Sequence, residues 1–197
     1  YQKITTGTSD SQLEMTAKLE LSHEDFLELK AYAEELGLKV FSTPFDIGSV
    51  EFLDSIGQSL WKIPSGEITN LPYLNRIGAI KRAGKKVILS SGMATIEEIE
   101  NCIKILVNAG TKECDIILLH CNTEYPTPDK DVNILAINDL KKHFPNVKIG
   151  FSDHSVGYTA AIGATVLGID LIEKHFTLDK NYEGPDHKAS ATPDELK

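Results

Sequence analysis

A parallel α/β fold of the barrel type is predicted by three observations on this chain of 197 residues. A short β-rich run, a polar or glycine-bearing loop and a stretch of helical periodicity recur six times, with starts spaced roughly twenty to thirty residues apart, close to one (β/α) unit. Most of these runs are apolar on both faces, as strands covered by helices should be. Two histidines also stand in matched positions. His154 closes Ile149-Gly150-Phe151-Ser152-Asp153-His154 and His175 follows Leu171-Ile172-Glu173-Lys174, and residues 158–167 between them are long enough for a crossover helix.

Taken in order, residues 1–21 are rich in Thr, Ser and Gln and read as a long loop. Ser22-His23-Glu24-Asp25 is a capping box, in which a hydroxyl accepts from an orphan N–H and a carboxylate reaches back. Phe26, Leu29, Tyr32, Ala33 and Leu36 then follow at helical spacing, and Gly37 sits where a left-handed C-cap belongs. Strands are expected at 39–44, 60–64, 86–90, 115–120, 147–151 and 171–176. Strand alternation sends Trp61 to the face opposite Lys62, to pack against helices. A second capping box, Thr95-Ile96-Glu97-Glu98, opens a helix marked by Ile96, Ile99, Ile103 and Leu106 and stopped at Gly110. Six units fall short of the eight of a closed (β/α)8 TIM barrel.

The gross composition narrows the function classes. With 41% hydrophobic and 25% charged residues the chain is globular, with length enough for one sizeable core. A net charge of −9, from 20 Lys+Arg against 29 Asp+Glu, argues against nucleic acid or an anionic membrane as the main partner. Cys102, Cys114 and Cys121 show neither CxxC spacing nor a disulfide pattern, which fits a reducing, cytoplasmic setting. Apolar runs such as 116–119 are far too short to span a bilayer, and no signal-peptide pattern opens the chain. Because Tyr1 is not an initiator methionine, the chain reads as trimmed at its front.

In parallel α/β folds ligands bind at the C-terminal ends of the strands. Lys62 with Ser65, Ser90, Ser91 and Ser152 places one cation and several hydroxyls on that rim, a set suited to a phosphate or a phosphate plus a carboxylate. Any one of these serines is explained better by its aptitude for turns, and it is the set with Lys62 that points to an anion. His154 and His175, at equivalent ends of neighbouring strands, would form half of an open metal site. Glu67 is placed to accept sugar hydroxyls or act as a base, and equally to open a helix. Asp186, in Glu183-Gly184-Pro185-Asp186-His187, is explained by turn chemistry as well as by function. His120 reads as a core or supporting residue, and His23 and His143 as helix-terminal ones. GxGxxG, Walker A, GxSxG and HExxH patterns are absent.

Seven ordered motifs carry a resemblance over essentially the whole chain: Phe41-Ser42-Thr43-Pro44-Phe45, Lys62-Ile63-Pro64-Ser65-Gly66-Glu67, Leu89-Ser90-Ser91-Gly92-Met93, His120-Cys121-Asn122-Thr123-Glu124-Tyr125-Pro126-Thr127-Pro128, Gly150-Phe151-Ser152-Asp153-His154, Glu173-Lys174-His175-Phe176-Thr177 and Gly184-Pro185-Asp186. Together they resemble the bacterial sialic acid synthases, most closely the N-acetylneuraminate synthases. That resemblance implies condensation of phosphoenolpyruvate with open-chain N-acetylmannosamine and water to give N-acetylneuraminate and phosphate. It implies a divalent ion, typically manganese with magnesium or cobalt as substitutes, on His154 and His175. The phosphoenolpyruvate contacts fall on Thr43, Lys62, Ser65, Ser90, Asn122 and Ser152, where Asn122 neighbours the position, Thr123, at which some members carry the asparagine. Sugar contacts fall on Glu67, Tyr125 and Asp186, and Glu67, His154 and His175 are the expected catalytic residues.

The resemblance further implies a cytoplasmic homodimer at full length, with no nucleic-acid or membrane partner. Against the family pattern, 1–197 reads as a partial catalytic barrel without the first two strands and without the C-terminal antifreeze-like domain, and so inactive by itself. A legionaminic or pseudaminic acid synthase, using the same phosphoenolpyruvate machinery on a deoxy sugar, is the close alternative. A non-catalytic metal- and anion-binding module is the distant one.

Overall fold

The computed structural model describes residues 12–197. The loop expected over 1–21 therefore lies partly outside the described residues, and where it is described it includes a short helix, α1 (Gln12–Ala17). Five parallel strands follow: β1 (Leu60–Ile63), β2 (Lys86–Ser90), β3 (Ile116–Cys121), β4 (Lys148–Asp153) and β5 (Ile172–Lys174). They lie side by side in chain order, each crossover returning to the next position, which is the topology of a partial (β/α) barrel.

Between and around them run α2 (His23–Glu35), α3 (Ile47–Ser55), α4 (Leu71–Ala79), α5 (Ile96–Ala109), α6 (Ala136–His143), α7 (Thr159–Val166) and α8 (Pro193–Leu196). Both predicted capping boxes form. Ser22 Oγ accepts from Asp25 N at 3.1 Å and Thr95 Oγ1 from Glu98 N at 3.2 Å, and each acidic side chain bonds back to its cap.

The expected strand at 39–44 is a correction. This segment is irregular and makes no ladder with β1. Its polar groups go elsewhere. Gln58 Oε1 accepts from Ser42 N at 2.8 Å, Gln58 Nε2 donates to Ser42 O at 2.9 Å, and Tyr73 Oη donates to Pro44 O at 2.7 Å. A side-chain amide has thus taken two bonds that a strand would give to its neighbour, and Pro44 has no N–H to offer. The helix expected from the spacing of Phe26, Leu29, Tyr32, Ala33 and Leu36 forms as α2, and its apolar stripe is largely exposed. Leu29 is 52% and Tyr32 60% exposed, while Phe26 and His23 both meet the ring of Phe52.

Alternation along the strands sorts the core into two layers. Trp61, Ile63, Val87, Leu89, Ile116, Leu118, Ile149 and Phe151 face the helices and pack with Leu74, Ile77, Ile99, Leu106 and Ile137. The inner face holds a smaller cluster of Ile88, Ile117 and Leu119 with Leu60 and Leu171. Continuing along that face by twos toward the C-terminal ends brings Lys62, Ser90, Cys121, Ser152 and Glu173, so the apolar floor passes directly into a polar rim. Gly150 leaves space on this floor. A Cβ there would lie 2.5 Å from Leu119 Cδ2 and 2.6 Å from the Leu171 carbonyl oxygen. Gly150→Ala is accordingly expected to cost about 2 kcal/mol or more through overpacking, read by urea unfolding, and an unchanged midpoint would show that the strands can move apart there.

At the opposite end of the sheet, Lys85 is buried with its Nζ donating to Ile77 O at 2.6 Å, Gly78 O at 2.7 Å and Thr111 Oγ1 at 2.9 Å. The ammonium therefore closes the C-terminal end of α4. Burial pulls its pKa from 10.5 down to about 8. The unfolded chain then holds this proton over a pH window in which the folded chain has released it. The contribution of Lys85 to stability accordingly rises as pH climbs from about 8 to 10.5. Lys85→Met should flatten that rise, and at pH 7 should cost about 2 kcal/mol by removing three charge-assisted hydrogen bonds. Unfolding of both proteins across this pH range checks the two effects together.

Candidate active site

Most of the residues singled out from the sequence meet in one continuous line of contacts at the strand ends. Lys62, buried on β1, places Nζ 3.4 Å from Glu173 Oε2 on β5. Ser152 Oγ donates to Glu173 Oε1 at 2.6 Å and lies 3.3 Å from His154 Nε2. Its single proton serves only one of these, and the shorter contact takes it. His154 Nδ1 donates to Asn122 O at 2.7 Å. The ring of Tyr125 stacks on His154 at 3.9 Å between centroids and meets His175 edge-on at 5.5 Å. His154 and His175 are themselves 5.5 Å apart and nearly perpendicular, and His175 Nδ1 is 3.9 Å from Asp186 Oδ2.

Each of these positions has a local cause. His154 directly follows β4, and the residue before it, Asp153, is fixed by Lys174 Nζ at 2.9 Å and by Ser155 N and Oγ at 2.9 and 2.6 Å. His154 O in turn accepts from Thr127 N at 2.9 Å. The imidazole thus projects from a backbone pinned on both sides. Its Nδ1–H bond leaves Nε2 as the lone pair. Burial, with the neighbouring His175, pulls its pKa below the ordinary histidine value against the opposing Asn122 contact, so the ring is neutral near pH 7.

The turns after β1 and β2 close the other side. Gly92, at φ +52, is where a Cβ would fall 2.4 Å from Ser65 Cβ, so only glycine lets Ser65 approach. Gly92 N donates to Cys121 Sγ at 3.2 Å. Burial pushes the Cys121 thiol up, opposed by this N–H and by the charge of Lys62. Ser90 Oγ is buried without a hydrogen-bond partner among the described residues. An orphaned hydroxyl costs free energy unless a ligand or water completes it, and here it faces the same side as Lys62.

Three predicted residues stand apart. Thr43 lines a separate hollow of about 500 Å³ between α2 and α3, with Ser22, Phe26, Asp46 and Phe52. The Asn122 amide is turned from the rim, donating to Asp131 O at 2.7 Å, and it is the backbone carbonyl of this residue that serves the site. Glu67 accepts from Asn70 Nδ2 at 2.6 Å, tying it to the cap of α4, as the helix-opening reading had it. His120 is a buried supporting residue, its Nε2 2.9 Å from Val132 O.

Glu173 was not singled out from the sequence, although it lies in a quoted motif. The alternation from Leu171 would have placed it inward.

The donor set can be tested against a metal ion. Among the described residues no group of three or more His, Cys, Asp and Glu side chains gathers into a closed ligand set. What is present is a neutral imidazole with a free Nε2 beside a second imidazole, which suits an ion whose remaining positions are filled by water or substrate.

The whole chain, residues 1–197, matches the model of the NeuB family. It is 49% identical over 197 residues to N,N'-diacetyllegionaminic acid synthase of Campylobacter jejuni, covering all of this chain and 58% of that protein. It is 35% identical over 178 residues to human N-acetylneuraminate-9-phosphate synthase, covering 90% of this chain and 48% of that one. The crystal structure of N-acetylneuraminic acid synthetase from Leptospira borgpetersenii, in complex with citrate, matches with a TM-score of 0.87 at 34% identity, over 99% of this chain and 66% of that one. The chain spans about half the length of the curated relatives it matches.

Proposed function

Since the chain belongs to the NeuB family, we propose that its protein condenses phosphoenolpyruvate with the open-chain form of an acylamino sugar and water, forming a carbon–carbon bond and releasing phosphate. The observation that carries this reading is the unbroken line from Lys62 through Glu173 and Ser152 to the two imidazoles. It brings a buried ammonium and two imidazoles onto one small rim, which supports reading the first as an anion site and the second as metal donors.

In this reading Lys62, Ser90 and Ser152 take the phosphate and carboxylate oxygens, and Ser65 stands beside them on the turn held by Gly92. A divalent ion, manganese first and magnesium or cobalt as substitutes, held by His154 and His175, would supply Lewis-acid polarisation of the aldehyde oxygen. Tyr125, stacked on His154, walls the acceptor side, and Asp186 beside His175 is placed to receive sugar hydroxyls. C3 of phosphoenolpyruvate attacks the aldehyde carbon, water adds at C2, and phosphate leaves by cleavage of its C–O bond. Among the described residues no helix is long and apolar enough to cross a membrane.

Two acceptors suit this machinery. N-acetylmannosamine is the one implied by the motifs, while the 49% identity to a diacetyllegionaminic acid synthase, against 35% to an N-acetylneuraminate-9-phosphate synthase, favours a diacetamido-trideoxy hexose. Assaying the complete protein for phosphate release with each sugar separates them. Binding of metal and anion with no phosphate from any acylamino sugar would leave only a binding module.

A further inference from the structure

Glu173 is a carboxylate among residues that should serve an anion. It stands on β5 opposite Ser152, on the inner face, while its neighbour Lys174 turns to the other face and pairs with Asp153. Both of its oxygens are engaged. Oε1 accepts from Ser152 Oγ at 2.6 Å and Oε2 faces Lys62 Nζ at 3.4 Å. These are the cation and one of the hydroxyls that the proposed reading gives to substrate. Ser152 has one proton, so while Glu173 holds it that hydroxyl cannot donate to anything else. A phosphate at Lys62 would also sit against a like charge, which costs binding wherever the two are poorly screened.

We propose that Glu173 is a built-in competitor for the anion: in the ligand-free protein its carboxylate occupies the Lys62 and Ser152 donors, and an incoming phosphate or carboxylate must displace it. The inference rests on the reading of the Lys62 rim as an anion site. The geometry permits the exchange, because the Glu173 side chain is 35% exposed and has room to swing outward whereas that of Lys62 is only 9% exposed. Keeping the pair joined has its own benefit, since a buried ammonium left alone between turnovers would carry a large desolvation cost.

The test is calorimetric titration of inorganic phosphate into the complete protein and its Glu173→Gln, Glu173→Ala and Lys62→Met variants, with circular dichroism confirming that each is folded. Expected is about tenfold tighter phosphate binding on removing the Glu173 charge, a gain of about 1.4 kcal/mol, and loss of binding in Lys62→Met. Equal or weaker binding by Glu173→Gln and Glu173→Ala, with Lys62→Met still impaired, would overturn the competitor while leaving the anion rim standing. Unchanged binding in Lys62→Met would instead remove the anion rim and the proposal with it. Should the Glu173 variants not fold, a phosphate-bound crystal structure of the unmodified protein decides. Glu173 swung away from Lys62 supports displacement, and a retained ion pair beside bound phosphate overturns it.

Discussion

Replacing His154 or His175 with Ala in the complete protein should lower turnover by at least about a hundredfold, the scale on which the loss of one preorganised electrostatic group is felt. Both variants should also bind manganese more weakly, because two protein ligands leave no spare donor. The two histidines differ in what else they do, and the difference makes the test decisive. His154 carries the Asn122 hydrogen bond and the Tyr125 stack, so its loss should also reduce stability by about 1 kcal/mol. His175 has a side chain 36% exposed, so His175→Ala should be nearly silent in unfolding. Loss of manganese affinity in both variants with loss of stability in only one identifies a ligand pair. Full manganese affinity in both would refute it.

Lys62→Met is expected to raise the KM for phosphoenolpyruvate by about ten- to a hundredfold, matching 1.5–3 kcal/mol for a charge-assisted contact, with little change in the KM for the sugar. Methionine roughly preserves the length and apolar stem of the side chain, so packing against the inner face persists while the charge is removed. Among the described residues Glu173 then keeps the Ser152 hydroxyl alone as a partner, and the rim changes from a compensated pair to a net negative surface. An anionic substrate should feel that change and a neutral sugar should not. Equal rises in both KM values would show Lys62 to be a prop for the fold.

How far the chain could be read in advance follows the range of the interactions. Capping boxes at Ser22 and Thr95 are complete within four residues, and both form as read. Runs apolar on both faces marked β1 to β5 because burial on two sides leaves few other residue types acceptable. The segment at 39–44 has strand-like composition, but its hydrogen bonds are claimed by Gln58 and Tyr73, from 16 and 29 residues away, which no local pattern announces. Leu29 and Tyr32 show that periodicity marks a helix face without saying what covers it.

The site divides the same way. Lys62, Ser90, Ser152, His154 and His175 were legible because strand ends are where a parallel sheet presents its ligands. Which way the Asn122 amide points, that Thr43 opens into another hollow, and that Glu173 meets Ser152 all depend on register and loop path, and these exist only in three dimensions.

Trp61 is the single tryptophan of the chain, fully enclosed between sheet and helices, one residue before Lys62 and facing away from it. Within residues 1–197 this indole is therefore a single reporter on the strand that bears Lys62, screened from the rim by the sheet itself. Its emission should be that of an indole in an apolar medium, blind to whether the rim is filled, and should shift to longer wavelength only when the layer between sheet and helices opens to water. Ligand titrations followed by this fluorescence would stay flat while unfolding curves remained sharp, so chemistry and stability can be measured on the same sample without one signal contaminating the other.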